Sequence, residues 1–137
     1  MSQPTAAPSS PHRSALRILI VDDNEDGAES LAMMLGILGN ETRSAYDGDE
    51  AVKAAEEFRP DVLLLDIGLP KRNGYEACRD IRKQPWGKDM VIIAQTGWGS
   101  EEDRRRTREA GFDHHLVKPV DPQDLIKLVA DLNSAET

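Results

Sequence analysis

Four groups of polar residues each follow directly after a short apolar run of this chain. Their side chains are carboxylates, a hydroxyl and an amine, which can hold a metal ion or contact a phosphoryl group. In an open sheet of parallel strands, such residues would meet at one edge, outside the carboxyl ends of the strands. They are Asp22 and Asp23 after the run 17–21, Asp66 after 62–65, Thr96 after 90–95 and Lys118 after 115–117.

The three carboxylates define the chemistry that we expect at this edge. Like charges in one cleft raise one another's pKa or require a cation, and Lys118 offsets only one of them. Carboxylates and water are the ligands that Mg²⁺ takes, commonly together with a phosphate. An aspartate such as Asp66 can also act as the nucleophile in phosphoryl transfer. The pattern therefore predicts a magnesium site beside a phosphoryl acceptor.

Each of these residues also has a simpler interpretation when it is taken alone. An aspartate after a strand is often a turn residue or a helix cap, which is the favoured reading of Asp23 by itself. Thr96 before Gly97 is compatible with a plain turn, and Lys118 with a solvated surface position. The joint pattern favours a site, because separate apolar runs each deliver a polar group at the same place.

The elements that must position these groups alternate between strand and helix. Short branched or apolar runs predict strands, and apolar residues at intervals of three and four predict helices. Asp47 is expected to cap the second helix with Glu50 as its reciprocal partner, and Asp121 to cap the last one before Pro122. The strands are 17–21, 41–46, 62–65, 90–95 and 115–117, and helices follow near 28–38, 47–58, around Cys78 and Ile81, from Ser100 and from Asp121.

This alternation predicts an α/β fold with a mainly parallel sheet and helices on both faces. The run 62–65 is apolar throughout, as is typical of a strand buried on both sides. The polar run 41–46 is expected at an edge. On the last helix, we expect Leu125, Leu128, Val129 and Leu132 to point inward.

Composition limits the class of protein and its partners. The 137 residues fit one domain, in which 1–14 form a disordered tail and 15–137 the folded part. A net charge of −8 argues against a nucleic-acid-binding surface. The sequence has neither an apolar membrane span nor a signal peptide, so we expect a cytoplasmic protein without membrane contact. Its one cysteine, Cys78, cannot form an internal disulfide.

Four motifs carry a resemblance to a known family. They are "VDDN", "LLLDIGLPKRNGYE", "AQTG" and "HHLVKPVD", in this order and spacing. Together they resemble the receiver domain of bacterial two-component response regulators, over about residues 16 to 133. The resemblance implies a single-domain (βα)5 fold like that of chemotaxis regulators, doubly wound, with the five parallel strands in the flavodoxin-like order 2-1-3-4-5.

The resemblance also implies roles for the acidic residues. Asp66 would receive a phosphoryl group from a phosphohistidine of a sensor kinase. Asp23 would bind Mg²⁺ directly, Asp22 mainly through water, and Gly68 through its backbone carbonyl. Thr96 resembles the switch hydroxyl that moves toward the phosphate, Lys118 the lysine that contacts it, and Pro119 a proline with a cis peptide bond.

The implied protein is a signalling switch and not an enzyme in the usual sense, although it would phosphorylate and dephosphorylate itself. Implied partners are a sensor histidine kinase or a histidine phosphotransfer protein, and a downstream protein target. The protein would be a monomer or a weak dimer. Because the chain ends shortly after the last helix, we expect a stand-alone receiver or the receiver segment of a hybrid kinase.

Two positions depart from the commonest pattern of that family. His115 stands where a tyrosine or phenylalanine usually acts as a switch; it is either a modified switch or an ordinary strand residue. Trp98 is large and apolar beside the expected pocket. We expect Trp98 to shield the phosphoryl group and Gly68 to leave room on the opposite side.

Other readings remain open at this point. The fourth helix carries a basic patch, which is either a solvated face or a mobile surface for a partner. A docking module that never uses phosphate would lack a pocket residue, and none is missing. A phosphatase of similar fold would need a second aspartate at the position of Gly68, and a flavin carrier a phosphate-binding loop where the acidic stretch 22–26 lies. The basic patch consists of Arg104, Arg105, Arg106 and Arg108.

Overall fold

Strands and helices alternate along the chain, as the sequence predicts. The structure is a computed structural model and describes residues 15–69, 71–97 and 101–135. A short 3-10 turn at Pro85–Gly87, which was not predicted, precedes the fourth strand. In chain order the elements are β1 (Arg17–Val21), α1 (Glu25–Ile37), β2 (Glu41–Ala45), α2 (Gly48–Phe58), β3 (Val62–Asp66), α3 (Gly74–Arg82), β4 (Val91–Thr96), α4 (Glu101–Ala110), β5 (His114–Val117) and α5 (Pro122–Ala135).

Within the described residues, the five strands form one sheet in the order β2-β1-β3-β4-β5. Each neighbouring pair is parallel. This confirms the predicted doubly wound fold and its strand order. The order reverses between β1 and β3, where ligands of open α/β sheets bind beyond the carboxyl ends of the strands. We call that side of the sheet the carboxyl edge and the opposite side the amino edge.

The core lies on both faces of the sheet, which explains the unbroken apolar run of β3. All five residues of this strand are buried. Leu63 and Leu65 pack on one face with side chains of α2 and α3. Val62 and Leu64 pack on the other face with side chains of α1 and α5. A strand with both faces covered in this way is a rigid support for the residue at its end.

The second helix is capped by Asp47, as predicted, but its reciprocal bond is displaced by one residue. The Asp47 carboxylate accepts the backbone N–H of Glu50 at 2.8 Å. The Glu50 carboxylate accepts the N–H of Tyr46, at 2.9 Å, and not that of Asp47. Glu50 is therefore the partner of the Asp47 cap, as predicted, but the reciprocal bond was predicted wrongly, because the Glu50 carboxylate bonds the N–H one residue before the cap.

Helix α3 has a complete capping box that the sequence reading missed. The Asn73 side chain accepts the N–H of Glu76 at 3.0 Å, and the Glu76 carboxylate accepts the N–H of Asn73 at 3.2 Å. The box fixes where the helix begins after the loop at 67–73. That loop follows Asp66, so the cap helps to define the carboxyl edge.

Helix α4 has little apolar surface, and part of its basic patch packs on the protein. Only Thr107 and Ala110 of this helix are buried. The Arg106 guanidinium lies 4.7 Å from the ring centre of Tyr75, a cation–π contact with α3. All four arginines of the patch are exposed, Arg106 included. The patch is therefore a solvent-facing surface on which Arg106 also contacts a ring of α3, and a role for it toward a partner stays a prediction.

Several smaller expectations can be compared with the structure. Cys78 is fully buried on α3, and burial raises the pKa of its thiol to about 12. Leu38, the last residue of the predicted helix 28–38, follows the end of α1 and is exposed. The predicted tail at 1–14 and the predicted helix start at Ser100 lie outside the described residues. None of the helices in the described ranges has the length and apolar character needed to cross a membrane.

Candidate functional site

Three carboxylates meet at the carboxyl edge of the sheet. Asp22 and Asp23 follow β1, and Asp66 is the last residue of β3. Each contributes an oxygen, and these three oxygens all lie within 4.8 Å of one another. Asp66 is buried, Asp22 is partly exposed and Asp23 is exposed, so the cluster opens toward solvent on one side. The fold thus brings together the acidic residues that the sequence singled out.

Asp66 accepts a hydrogen bond at each of its oxygens. Its Oδ2 accepts from Nζ of Lys118 at 2.7 Å. Its Oδ1 accepts from the backbone N–H of Gly68 at 3.0 Å. The Asp66 side chain is only 2% exposed, whereas that of Lys118 is 38% exposed. A buried carboxylate is therefore fixed between a cation and an amide, beside two further acids.

This environment perturbs the charge of both partners. Burial raises the pKa of the Asp66 carboxyl, and the nearby Asp22 adds to the rise, while the bonds from Lys118 and Gly68 act against it. Burial disfavours the charged form of Lys118, but its bond to Asp66 and the neighbouring carboxylates outweigh this and raise its pKa. The lysine therefore stays cationic and offsets part of the negative charge.

Thr96 and Lys118 are joined through the backbone at the ends of β4 and β5. Thr96 is the last residue of β4 and is 4% exposed. Its carbonyl accepts the N–H of Lys118 at 2.6 Å, which continues the strand pairing by one residue. The peptide bond between Lys118 and Pro119 is cis. Thr96 and Lys118 therefore lie side by side at the carboxyl edge of the sheet, and Lys118 contacts Asp66 there.

The loop after Asp66 is shaped by two glycines with different roles. A Cβ added to Gly68 would meet only Oδ1 of Asp66, at 3.9 Å, so a side chain could be accommodated there. A Cβ added to Gly74 would lie 2.4 Å from the carbonyl oxygen of Asp66 and 2.7 Å from Cα of Ile67. Close approach of α3 to the end of β3 therefore requires glycine at position 74.

Gln95 is a site residue that the sequence reading missed. Its Nε2 donates to Oδ2 of Asp22 at 2.7 Å. Oδ1 of the same carboxylate accepts the N–H of Asn24 at 3.0 Å. Both oxygens of Asp22 are therefore engaged by the protein. A signal was present in the sequence, because Gln95 is a polar residue directly after the apolar run at 90–94.

One sequence-predicted residue, His115, stands apart from the acidic cluster. His115 lies on β5 opposite Ala94 and is partly exposed. It borders a cleft of about 210 Å³ between α4 and β5, together with Arg104 and Phe112. Trp98 lies outside the described residues, so its shielding role stays a prediction.

A second, larger cleft lies beside the cluster and makes it accessible. It has a volume of about 580 Å³ and runs between the start of α1 and the junction of β5 and α5. Asp22, Asp23 and Lys118 line it, and so do the apolar side chains of Leu31 and Met34. The three carboxylates outnumber the ammonium group of Lys118, so the open side of the cluster is suited to a cation.

Comparison with known proteins gives a consistent result. The family model of the response regulator receiver domain matches residues 18–130. An uncharacterized 14.6 kDa protein of Leptolyngbya boryana is 38% identical over 112 residues, which cover 82% of this chain and 86% of that protein.

Solved structures of similar fold include two kinds of receiver. The chemotaxis response regulator CheY4 of Vibrio cholerae superposes with a TM-score of 0.79 at 30% identity, covering 84% of this chain and 96% of that one. The receiver domain of the sensor histidine kinase PA1611 from Pseudomonas aeruginosa gives a TM-score of 0.78 at 34% identity, covering 88% and 98%. In the latter structure a magnesium ion is coordinated in the active-site cleft.

Proposed function

The chain belongs to the family of response regulator receiver domains, and from this premise we propose that Asp66 accepts a phosphoryl group from a phosphohistidine. The observation that carries the proposal is the pairing of buried Asp66 with Lys118 at 2.7 Å, inside a cluster of three carboxylates. A carboxylate held in this way within an acidic cluster is a competent nucleophile for phosphoryl transfer.

In the transfer step, an oxygen of Asp66 forms a bond to phosphorus. The bond between phosphorus and the imidazole nitrogen of the donor breaks, and its electron pair returns to that nitrogen. Lys118 keeps its charge and can move from the carboxylate to a phosphoryl oxygen, because its side chain is partly exposed. The hydroxyl of Thr96 is the group that would donate a hydrogen bond to another phosphoryl oxygen.

Mg²⁺ is the cofactor that fits the acidic cluster. Three carboxylate oxygens within 4.8 Å of one another are ligands of the type it prefers. Asp23 and Asp66 would hold the ion directly, with the Gly68 carbonyl, and Asp22 mainly through water. This division is supported by the two hydrogen bonds that Asp22 already accepts. When bound, the ion supplies positive charge that offsets the charge of the phosphoryl oxygens.

The phosphorylated protein would act as a switch. A phosphoryl group adds a charge of about −1.5 to −2 and new acceptor oxygens, which favour a state with Thr96 and Lys118 drawn toward it. The change would be read at a protein-interaction surface. Whether His115 contributes to the switch stays open, and so does the ability of Trp98 to slow hydrolysis of the phosphorylated state.

Partners follow from this role. The donor would be a sensor histidine kinase or a histidine phosphotransfer protein, and the reader a downstream protein. Self-phosphorylation and autodephosphorylation, a cytoplasmic location, and a monomer or weak dimer remain predictions. So does the choice between a stand-alone regulator and a segment of a hybrid kinase or phosphorelay.

The decisive experiment compares the wild type with Asp66→Asn in the presence of Mg²⁺ and acetyl phosphate. We expect the wild type to gain one phosphoryl group by intact mass, and Asp66→Asn to gain none. Asp89→Asn, the same change at an exposed loop residue, should behave as the wild type does. Beryllofluoride should shift the NMR spectrum of the wild type and not that of Asp66→Asn.

Two outcomes would contradict the proposal. A wild type that gains no phosphoryl mass and shows no spectral change with beryllofluoride would support a docking module that does not use phosphate. Phosphorylation of Asp66→Asn at the rate of the wild type would place the acceptor elsewhere.

A further inference from the structure

Gln95 is a buried polar residue near the carboxyl end of β4, a strand that is otherwise mostly apolar. It is 4% exposed, and the residues before it in β4 are Val91, Ile92, Ile93 and Ala94. Burying a carboxamide costs free energy unless it is hydrogen-bonded, whereas an apolar side chain would fill the same space without that cost. Packing alone therefore does not account for a glutamine at this position.

The hydrogen bond from Gln95 crosses the end of the central strand. Gln95 is the register partner of Asp66 on β3, and its amide reaches Asp22 beyond β1. Because β3 lies between β1 and β4, the two backbones are about 10 Å apart, two strand spacings. Only a long side chain on β4 can bridge this separation. The bond ties the first acidic residue of the cluster to the strand beside Asp66.

Asp22 is thereby held from two directions. Asn24 donates its N–H to Oδ1 at 3.0 Å, and Gln95 donates to Oδ2 at 2.7 Å. The backbone N–H of Asp22 donates to the carbonyl of Ala45 at 3.1 Å. Asp22 is partly exposed, so without the amide its carboxylate could turn toward water and away from Asp66. The two bonds fix the orientation of Asp22 against the repulsion between its carboxylate and that of Asp66.

A neutral donor suits this task better than a charged one. A lysine or arginine at position 95 would hold Asp22 but would also cancel one of the negative charges. The carboxamide restrains the carboxylate and leaves its charge in place for a cation. Each oxygen of Asp22 also keeps a lone pair that a water molecule can use.

We infer that Gln95 is a positioning residue that holds Asp22 in the orientation required for Mg²⁺ binding. The inference rests on the proposed function, since it assigns a role toward the ion that the acidic cluster would hold. Replacing the hydrogen-bond partners around a metal site typically changes metal affinity by about 10–100-fold, and because Asp22 would act mainly through water we expect the lower end of this range. Gln95 itself touches neither the ion nor the phosphoryl group in this proposal.

The test replaces Gln95 with methionine, which keeps the length of the side chain and removes the donor. Mg²⁺ affinity is measured by titrating ¹⁵N-labelled protein with MgCl₂ and following the NMR spectrum. We expect Gln95→Met to bind Mg²⁺ at least about 10-fold more weakly than the wild type. The control is Ile93→Val, a change two residues away on the same face of β4. It should leave the affinity within about twofold.

A kinetic measurement separates positioning from general damage to the fold. The rate of phosphorylation by acetyl phosphate is measured as a function of Mg²⁺ concentration. We expect Gln95→Met to raise the half-saturating Mg²⁺ concentration about 10-fold and to leave the maximal rate within about threefold. A structural defect would instead lower the rate even at saturating Mg²⁺ concentrations.

Each outcome is informative. Equal Mg²⁺ affinity of Gln95→Met and the wild type overturns the role of Gln95 and leaves the proposed function standing. A wild type that binds no Mg²⁺ overturns both.

If Gln95→Met does not fold, the bond is tested in the metal-free wild type. The side-chain amide protons of Gln95 should exchange slowly with solvent there, and about 10-fold faster in Asp22→Ala, which removes the acceptor. An unchanged exchange rate overturns the inference.

Discussion

Asp113 and Asp66 are the same type of residue at opposite edges of one sheet, but their surroundings differ. Asp113 lies at the amino edge, directly before β5. Its Oδ2 accepts from Nη2 of Arg82 at 2.7 Å and from the N–H of Ile92 at 2.9 Å. The same arginine donates to backbone carbonyls of the surrounding loops. The hydrogen bonds of Arg82 and Asp113 therefore join separate parts of the fold to one another.

Asp66 at the carboxyl edge receives a similar number of donors. Lys118 donates to it at 2.7 Å and Gly68 at 3.0 Å. The difference lies in the neighbouring charge, since Asp22 and Asp23 each bring an oxygen within 4.8 Å of the others. Acidic groups are therefore in excess here, whereas at the amino edge a cation meets an acid and several carbonyls.

The contrast teaches that hydrogen bonding alone does not distinguish a structural acid from a functional one. Both carboxylates are engaged, and both have a cation at the same distance. What marks the functional edge is an excess of negative charge in a cleft that opens to solvent. This charge favours binding of a cation, and without the cation the carboxylates repel one another. The edges should respond differently to mutation, and three changes test this.

The largest effect on stability is expected at the amino edge, from Arg82→Met. Arg82 donates to the carbonyls of Gly111 at 2.9 Å, Gly87 at 2.9 Å and Met90 at 2.6 Å. Removing it takes the guanidinium donor away from these carbonyls, and it leaves the Asp113 carboxylate with the N–H of Ile92 but without its ion pair. We expect a loss of about 2–4 kcal/mol in the free energy of unfolding, measured with urea.

Lys83→Met is the matched control for that change. Lys83 is the next residue, its side chain is 75% exposed, and its only ion pair in the described residues is a 4.0 Å contact with Asp80. We expect its loss to alter stability by less than about 0.5 kcal/mol. The folded fraction of Arg82→Met should keep the Mg²⁺ affinity of the wild type. A marked loss of that affinity would show that the edges are not separate.

A smaller loss is expected from Gly74→Ala, which acts on the support of the carboxyl edge. The added methyl group would lie 2.4 Å from the Asp66 carbonyl oxygen, so the start of α3 or the end of β3 must move. We expect about 1–3 kcal/mol of destabilisation by urea unfolding. Because the backbone of Asp66 is displaced, phosphorylation by acetyl phosphate should also be slower in the folded protein.

Gly36→Ala separates this steric effect from the general effect of removing a glycine. Gly36 lies in α1, and a Cβ there would meet nothing within 4 Å. Alanine is favoured over glycine by about 0.5–1 kcal/mol inside a helix and by less in its last turn, where Gly36 lies, so this variant should be at least as stable as the wild type. If Gly74→Ala is also as stable as the wild type, the close approach does not constrain the site.

The contrast between the edges also shows which features a sequence can predict. Asp22, Asp66, Thr96 and Lys118 could be predicted to meet, because parallel strands end at a common edge and each residue stands at or just beyond such an end. That inference needs only the order of the elements. The capping aspartate at position 47 is likewise a local feature.

Contacts between distant side chains could not be predicted in this way. Gln95 lies 73 residues from Asp22 in sequence, and its bond depends on how the strands are ordered and on the rotamer of a long side chain. Arg82 is one of two basic residues in its helix, and its partners come from two later segments, 87–90 and 111–113. Arg106 stacks on Tyr75 only because α3 and α4 are neighbours. Such contacts depend on tertiary structure that local patterns do not contain.

The smallest effect is expected from Asp47→Asn, which tests whether every acid at the carboxyl edge is functional. Asp47 follows β2, and its carboxylate accepts the N–H of Glu50 and lies 3.6 Å from Nζ of Lys71. The backbone bond holds the pKa of Asp47 below its usual value, and Lys71 adds to this effect. Asparagine caps a helix about as well as aspartate, so it keeps the cap and removes only the charge.

We therefore expect Asp47→Asn to lose about 0.5–1 kcal/mol at neutral pH, where the helix dipole and Lys71 favour the anion. A lowered folded-state pKa means that the charge stabilises the protein above the unfolded value of about 3.9. The advantage of the wild type should shrink as the pH falls through the folded-state pKa, which urea unfolding at several pH values can measure. Mg²⁺ affinity should stay unchanged, because Asp47 serves as a helix cap. If the difference in free energy of unfolding between the wild type and Asp47→Asn were the same at all pH values, the charge of Asp47 would not contribute to stability.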